Sequence, residues 1–278
     1  MKKRKIKIKW GNLTILLIIL ICTAIFIISI ANILKWTIDN KKTDKQTEII
    51  TNIKVIEEVT DDENTEIIEQ PITIDKNAPY WNFIKMNLID ADFNELKQIN
   101  KEVQGWIQVN GTNINYPYVQ ASDNDFYLNH SFDKSSNGAG WIFMDYRNNS
   151  QEFDKNTIIY GHGRSNTSMF GTLKNILKSS WFKDSNNYVI KLATEQENSL
   201  WEVFSVYKIP TTSDYLQIKF SSDEEFQNFA NKLIERSAYN FNTPVNSTDK
   251  IITLSTCWND EEKVVMHAKL IKTQKKSN

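Results

Sequence analysis

The sequence predicts a mainly β domain with a few helices, an eight-stranded closed or nearly closed barrel, carried behind a single membrane-spanning helix. Eight short runs rich in β-branched and aromatic residues recur between turn residues across the last two thirds of the chain. Helical periodicity appears only in the connections, which suits a barrel with helices in its crossovers. Upstream, Leu13 to Leu34 is a run of 22 residues without a charge. The composition is that of an ordinary globular protein: 278 residues, 40% apolar and 24% charged, with 33 Lys+Arg against 34 Asp+Glu. That excludes collagen-like, disulfide-scaffold and wholly disordered classes, and the near-zero net charge excludes a typical nucleic-acid binder.

Five segments follow in order. Residues 1–12 form a basic tail in which Lys2, Lys3, Arg4, Lys5, Lys7 and Lys9 are the only charges. Residues 13–35 form the anchor, since 22 helical residues rise roughly 33 Å against a hydrocarbon core of about 30 Å. A cleaved signal peptide would have a shorter apolar region ending in small residues, and Ile33-Leu34-Lys35-Trp36 is no such site. The excess of basic residues before the span over those after it favours a cytoplasmic N-terminus, with everything beyond about residue 36 outside the cell. Residues 36–79 read as a solvated stalk, because residues 39–76 hold 11 acids and 5 bases around scattered Ile and Val; a helix over about 46–59 is the alternative within it. Residues 80–273 form the folded domain and 274–278 a short tail.

Within the domain, Asp92 and Glu95 start a helix over about 92–103 whose stripe is Phe93, Leu96, Ile99 and Val103. Trp106–Val109 and Ile114–Tyr116 are strands about Asn110-Gly111, a tight-turn dipeptide whose two residues favour positive φ. Further strands are Trp141–Met144, Thr157–Tyr160, Tyr188–Leu192, Leu200–Lys208, Ile251–Thr256 and Val264–Lys272. A short helix is expected near 168–178. A longer one spans 223–236, where Phe226, Phe229, Ala230, Leu233 and Ile234 share one face behind a Ser222-x-x-Glu225 cap.

Few residues can do covalent chemistry. Cys22 lies mid-span, so Cys257 is a lone thiol on an exported domain, to be read either as reactive or as a small buried residue. It closes the run Ile251-Ile-Thr-Leu-Ser-Thr-Cys257, and a strand end is where a sheet can fix a nucleophile while leaving it open to substrate. Of three histidines, His130 reads as a polar-loop residue and His267 as a strand-face residue. His162 follows an apolar strand between two glycines and is the preferred partner. There is no CxxC, no HxxxH, no phosphate loop and no GxSxG elbow, so no metal or cofactor is expected, and cysteine-plus-histidine acyl chemistry remains.

On these residues the domain resembles the class B sortases, membrane-anchored cysteine transpeptidases of Gram-positive surfaces. Thr253-Leu-Ser-Thr-Cys257 is similar to that family's TLxTC signature, and Asn156-Thr-Ile-Ile-Tyr-Gly-His162 to its histidine strand. Trp141-Ile-Phe-Met-Asp-Tyr-Arg147, Ser168-Met-Phe-Gly171 and the helix at 223–236 resemble class B in particular. The resemblance implies a sortase barrel and a two-step acyl transfer. Cys257 would attack the Thr carbonyl of an NPxTN-like C-terminal sorting signal on a surface protein, and His162 would serve the leaving and incoming amines. The acceptor would be a peptidoglycan-precursor (lipid II) amine.

The family has an arginine at the start of its last strand, and here that place is Lys263. Lysine keeps the charge and loses the planar fork, so it is expected to fill the oxyanion role with weaker geometry, the alternative being a solvated lysine after three acids. Arg164 is a substitute donor, whereas Arg147 and Arg236 read as structural. Implied substrate contacts are Asn124, Leu128, Tyr160, Thr211, Tyr215, Leu216 and Ser255, of which Asn124 and Tyr215 look most suited to a peptide groove. Competing readings are a pilin-polymerising enzyme with a lysine acceptor, a peptide-binding protein of low or no activity, and a plain cysteine protease.

Overall fold

The computed structural model describes residues 10–52, 56–68, 74–259 and 261–276. The chain begins with helix α1 (Trp10–Asn52), followed by β1 (Ile56–Val59), β2 (Thr65–Ile67), the single turn α2 (Tyr80–Phe83), β3 (Leu88–Ala91) and α3 (Phe93–Ile99). Next come β4 (Val103–Val109), β5 (Asn115–Val119), β6 (Phe143–Met144), β7 (Asn156–Tyr160), α4 (Ser179–Phe182), β8 (Val189–Thr194) and β9 (Glu197–Pro210). Helix α5 (Asp223–Glu235), β10 (Ile251–Cys257) and β11 (Glu262–Lys275) complete it.

Eight strands close into a barrel in the order β10-β7-β6-β5-β4-β8-β9-β11, and pairing of β10 with β11 seals the ring. Each corresponds to one of the eight expected runs. The Asn110-Gly111 turn differs in detail: Val109 N bonds Ile114 O at 3.0 Å, so the loop is four residues long, and of its residues only Gly111 has positive φ. The short helix expected near 168–178 is a 3-10 turn over Gly171–Leu177 leading into α4. Helix α5 starts on Ser222, whose Oγ accepts from Glu225 N at 3.1 Å, and it buries Phe226, Phe229, Ala230 and Leu233. Each of its large apolar side chains contributes about 1.5–3 kcal/mol relative to exposure.

There are two apolar layers. The interior holds Trp141, Trp201, Ile159, Leu254 and Met266, among others; a second cluster outside the barrel joins α5 to Phe204, Tyr207, Tyr215, Ile251 and Val265. With both faces covered, β9 and β10 are buried along most of their length, their polar residues included.

Residues 36–79 are where structure and expectation part. Helix α1 is continuous from the apolar stretch to Asn52, about 65 Å at 1.5 Å per residue. Its first half is long and apolar enough to cross a membrane, with a mean hydropathy of 3.1 in its most apolar window. Its second half docks on the barrel through a stripe that includes Asp39, Thr43, Gln46 and Ile50, spaced as one helical face, with Thr43 and Ile50 buried. That stripe is mostly polar, so no apolar period announces it. Farther on, β1 pairs antiparallel with β3, and β2 adds to the far end of β11. The expected solvated stalk is thus in large part a structural layer. The basic residues 2–9 lie outside the described residues.

Lys272 fixes that layer. Fully buried on β11, its ammonium donates to Asp61 Oδ1 at 2.7 Å, Ile84 O at 2.9 Å and Met86 O at 2.7 Å. Lys272→Met leaves two half-buried carbonyls without their ammonium donor and is expected to cost about 2–4 kcal/mol in urea unfolding. Asp61→Asn, at a half-exposed carboxylate, should cost under about 1 kcal/mol. Equal losses would contradict this account.

Candidate active site

Three neighbouring strands point alternate residues the same way. On β10, Ile252 and Leu254 enter the barrel, while Ile251, Thr253, Ser255 and Cys257 face outward toward α5 and the loop after β9. Strand β7 runs parallel to β10 with Tyr160 opposite Ser255, and β11 runs antiparallel with Lys263 opposite Cys257. Two residues past the Tyr160–Ser255 pair stand His162 and Cys257, so the histidine and the cysteine leave the sheet from neighbouring strands at one end of the barrel, with Lys263 across from the cysteine.

Close backbone approach seals this end. Gly161 N donates to Ser255 O at 3.3 Å, and Thr256 Oγ1 donates to Gly161 O at 2.7 Å. A Cβ on Gly163 would collide with Cys257 O, so only glycine lets the histidine loop pass the cysteine.

Lys263 Nζ lies 2.9 Å from Cys257 Sγ. It is half-buried and turned onto the sulfur, while Glu262 pairs with Lys208 at 2.8 Å instead. A charge-assisted hydrogen bond of this kind is strongest when the sulfur carries negative charge. The half-buried His162 places Nε2 2.8 Å from Leu128 O; a carbonyl only accepts, so Nε2 donates, and Nδ1 is left as the nitrogen that can take up or give a proton. Gly140, at φ +62°, makes room for that ring, since a Cβ there would come within 2.7 Å of His162 Cδ2.

The expected substrate contacts divide by position. Tyr160 Oη donates to Asp145 Oδ2 at 2.9 Å, and Arg147 holds the same carboxylate from Nε at 2.9 Å and Nη2 at 2.7 Å. Burial disfavours that charge, yet the bonds from Arg147 and Tyr160 keep the Asp145 carboxyl below its ordinary range. Arg147 Nη2 also reaches Leu216 O at 3.2 Å, and Asn124 Oδ1 accepts from Tyr146 N at 3.0 Å. Asn124, Tyr160 and Leu216 are therefore half-buried around one connected network, while Leu128 is half-buried against His162. Thr211 is exposed and ties its loop to Glu261 O through N at 2.8 Å and Oγ1 at 3.0 Å.

Tyr215 and Ser255 differ from the expected groove wall. Both are buried, 2% and 4% exposed, with Tyr215 Oη and Ser255 Oγ 3.0 Å apart. A long loop needs an anchor, and the Tyr215 ring supplies it by inserting beside α5, beneath the surface rather than on it. Arg164 also points elsewhere: its guanidinium bonds Asn40 of α1, not the cysteine. His267 is fully buried between Tyr207 Oη at 2.8 Å and Thr253 Oγ1 at 2.9 Å, and burial lowers its pKa to about 3, so it is a neutral core residue. His130 stacks on Phe126, with ring centroids 4.0 Å apart.

The sequence reading missed the Leu128 carbonyl that orients the histidine, the Asp145 network, and Trp258. The Trp258 ring is 38% exposed beside the cysteine, with Lys174 and Lys208 ammonium groups 5.7 and 5.5 Å from its centroid. Lys174 Nζ also donates to Trp258 O at 3.0 Å. Backbone carbonyls leave no mark in a sequence, but an aromatic next to the lone thiol was a visible signal.

The chain is similar to known proteins in both sequence and fold. The Sortase domain family matches residues 107–271. A Staphylococcus aureus protein named Sortase B is 35% identical over 188 residues, covering 66% of this chain and 76% of that protein. Among solved structures, sortase B from B. anthracis superposes with a TM-score of 0.60 at 42% identity, over 65% of this chain and 84% of that one. A Staphylococcus aureus sortase B–substrate complex has a TM-score of 0.61 at 35% identity, covering 65% and 84%. A sortase B complexed with triglycine gives 0.61 at 35%, covering 65% and 85%.

Gly140→Ala tests how the histidine is seated. An L-residue at positive φ costs about 1–2 kcal/mol, and the new methyl meets Tyr127 O at 2.6 Å. A lower urea midpoint and shifted His162 imidazole resonances are expected; unchanged resonances would show that Gly140 does not seat the ring.

Proposed function

The chain belongs to the sortase family as a sortase B-type transpeptidase, and on that premise we propose that it cleaves an NPxTN-like sorting signal after Thr through a thioester on Cys257. The Cys257 thiolate attacks the Thr carbonyl carbon and the oxygen gains negative charge. The Thr–Asn C–N bond then breaks, and the departing amine takes a proton from the His162 imidazolium. A second amine attacks the thioester, gives its proton to His162, and the sulfur leaves as thiolate. Splitting the exchange in two keeps the acyl group activated for the amine instead of water.

The observation that carries this reading is the Lys263 ammonium 2.9 Å from Cys257 Sγ, on the strand opposite the one that brings His162. One cation lying against the sulfur can turn to the oxyanion as charge moves from sulfur to oxygen. The same contact argues against a merely peptide-binding protein. The Asp145 network and the residues around it, Asn124, Leu128, Tyr160, Thr211 and Leu216, would line or support the peptide groove, with Tyr215 and Ser255 beneath.

The substrates on this reading are surface proteins bearing the signal, and the acceptor is a peptidoglycan-precursor amine, lipid II; the relative crystallised with triglycine supports a small primary amine there. Helix α1 would hold the enzyme in the cell membrane, N-terminus in the cytoplasm and domain outside.

The test uses the full chain in detergent with a fluorogenic NPQTN-type peptide, with and without triglycine. Cys257→Ala and His162→Ala should each abolish both turnover and the trapping of a thioester, because sulfur and imidazole both act before the C–N bond has broken. Lys263→Ala should lower kcat by about 10²–10³, and Lys263→Arg should restore most of it. Ligated product with triglycine supports transfer. Turnover unaffected by Cys257→Ala would end the proposal, and an unchanged kcat in Lys263→Ala would end the oxyanion role.

A further inference from the structure

Two segments enclose His162. One is the loop 137–140: Asn137 O accepts from Gly140 N at 3.0 Å, and Gly140 lies against the His162 ring. The other is the loop His162–Phe170, which hangs on His162 itself, whose carbonyl accepts from Arg164 N at 3.0 Å and Phe170 N at 3.1 Å. Neither segment is held only by the barrel.

Both are held by α1. Asp39 Oδ2 accepts from Gly138 N at 3.1 Å, and Thr43 Oγ1 accepts from Asn137 Nδ2 at 3.0 Å. Lys42 Nζ donates to Ser136 O at 2.9 Å. Asn40 Oδ1 accepts from Arg164 and, at 3.2 Å, from Asn166 Nδ2. Arg164 is half-buried against the helix, facing the Asp39 and Asp44 charges, which oppose the cost of burying it. Asn40 stands just six residues and about 9 Å of helix rise beyond Leu34.

We propose that residues 39–43 of the anchor helix are positioning residues for catalysis, with Asn40 clamping the His162–Asn166 loop so that the imidazole stays in register with Cys257. On this account the helix that reaches the membrane also completes the active site, and the domain is rigidly mounted with its histidine side toward the span. The inference rests on the transpeptidase reading for its kinetic readout, not for its structural one. Asn40 acts through the loop and touches no substrate.

The experiment uses the full chain in detergent micelles. Asn40→Leu removes the acceptor for Arg164 and Asn166, Asn40→Asp retains one, and Glu48→Ala is a control at an exposed position of the same helix. Expected for Asn40→Leu is a fall in kcat of about 10-fold or more, with KM for the peptide within about twofold. The alkylation rate of Cys257 should be unchanged, because the Lys263 contact is untouched. Asn40→Asp and Glu48→Ala should stay within about twofold of the parent in kcat. Amide exchange in residues 161–168 should accelerate in Asn40→Leu alone. Parental kcat and parental exchange in Asn40→Leu would overturn the clamp, as would a loss that Asn40→Asp does not rescue. If the parent chain turns over no sorting peptide, the transpeptidase reading fails, and the exchange measurement still decides the clamp.

Discussion

The site depends on one constraint, the pairing of β10 with a parallel strand on one side and an antiparallel strand on the other. Parallel pairing carries β7 and β10 to the same end of the barrel, so their last residues, Tyr160-Gly-His162 and Ser255-Thr-Cys257, emerge together. Antiparallel pairing folds β11 straight back, which brings Lys263 opposite Cys257. Any slip of one residue would turn an inward side chain outward and separate the three groups. The barrel interior prevents this, because Ile159, Leu254 and Met266 must stay inside.

Charge at this end is managed by pairing rather than by exposure. Lys263 meets sulfur, Lys208 meets Glu262, and Arg147 meets Asp145 while also holding the loop at Leu216. On the other flank of that loop, Arg236 and Lys232 converge on Asp214, whose carboxyl their hydrogen bonds hold well below the ordinary range. The segment carrying Thr211, Tyr215 and Leu216 is therefore stapled at both ends and anchored by the Tyr215 ring. On the proposed function, a segment held this way would meet a peptide with little ordering left to do, and pre-organisation of that kind lowers the entropic cost of binding.

Beyond the barrel, the anchor helix and the strands after it make a second layer that polar contacts hold. The buried Lys272 ties Asp61 and two carbonyls to β11, and Asp39, Asn40 and Thr43 bond loops around the histidine. Such a layer looks solvated in a sequence because its residues are Asp, Asn, Lys and Thr. What distinguishes it from a linker is the spacing of its buried positions along one helical face.

The sequence by itself determined the long apolar helix, the eight strands, the lone thiol at a strand end and the histidine after another. Each of those is written in local pattern: apolar length, period-two runs, a turn after a strand. It also marked Lys263 as standing where a cation is wanted, but could not say whether that lysine reached the sulfur or hydrated among its acidic neighbours. Tertiary structure alone decided that, along with the burial of Tyr215, the turning of Arg164 toward α1 and the docking of residues 39–50. The physical reason is that a polar side chain has many good partners, water included, and nothing in its own neighbourhood of sequence selects one. Only the strand register and the packed loops make one partner closer than all the others.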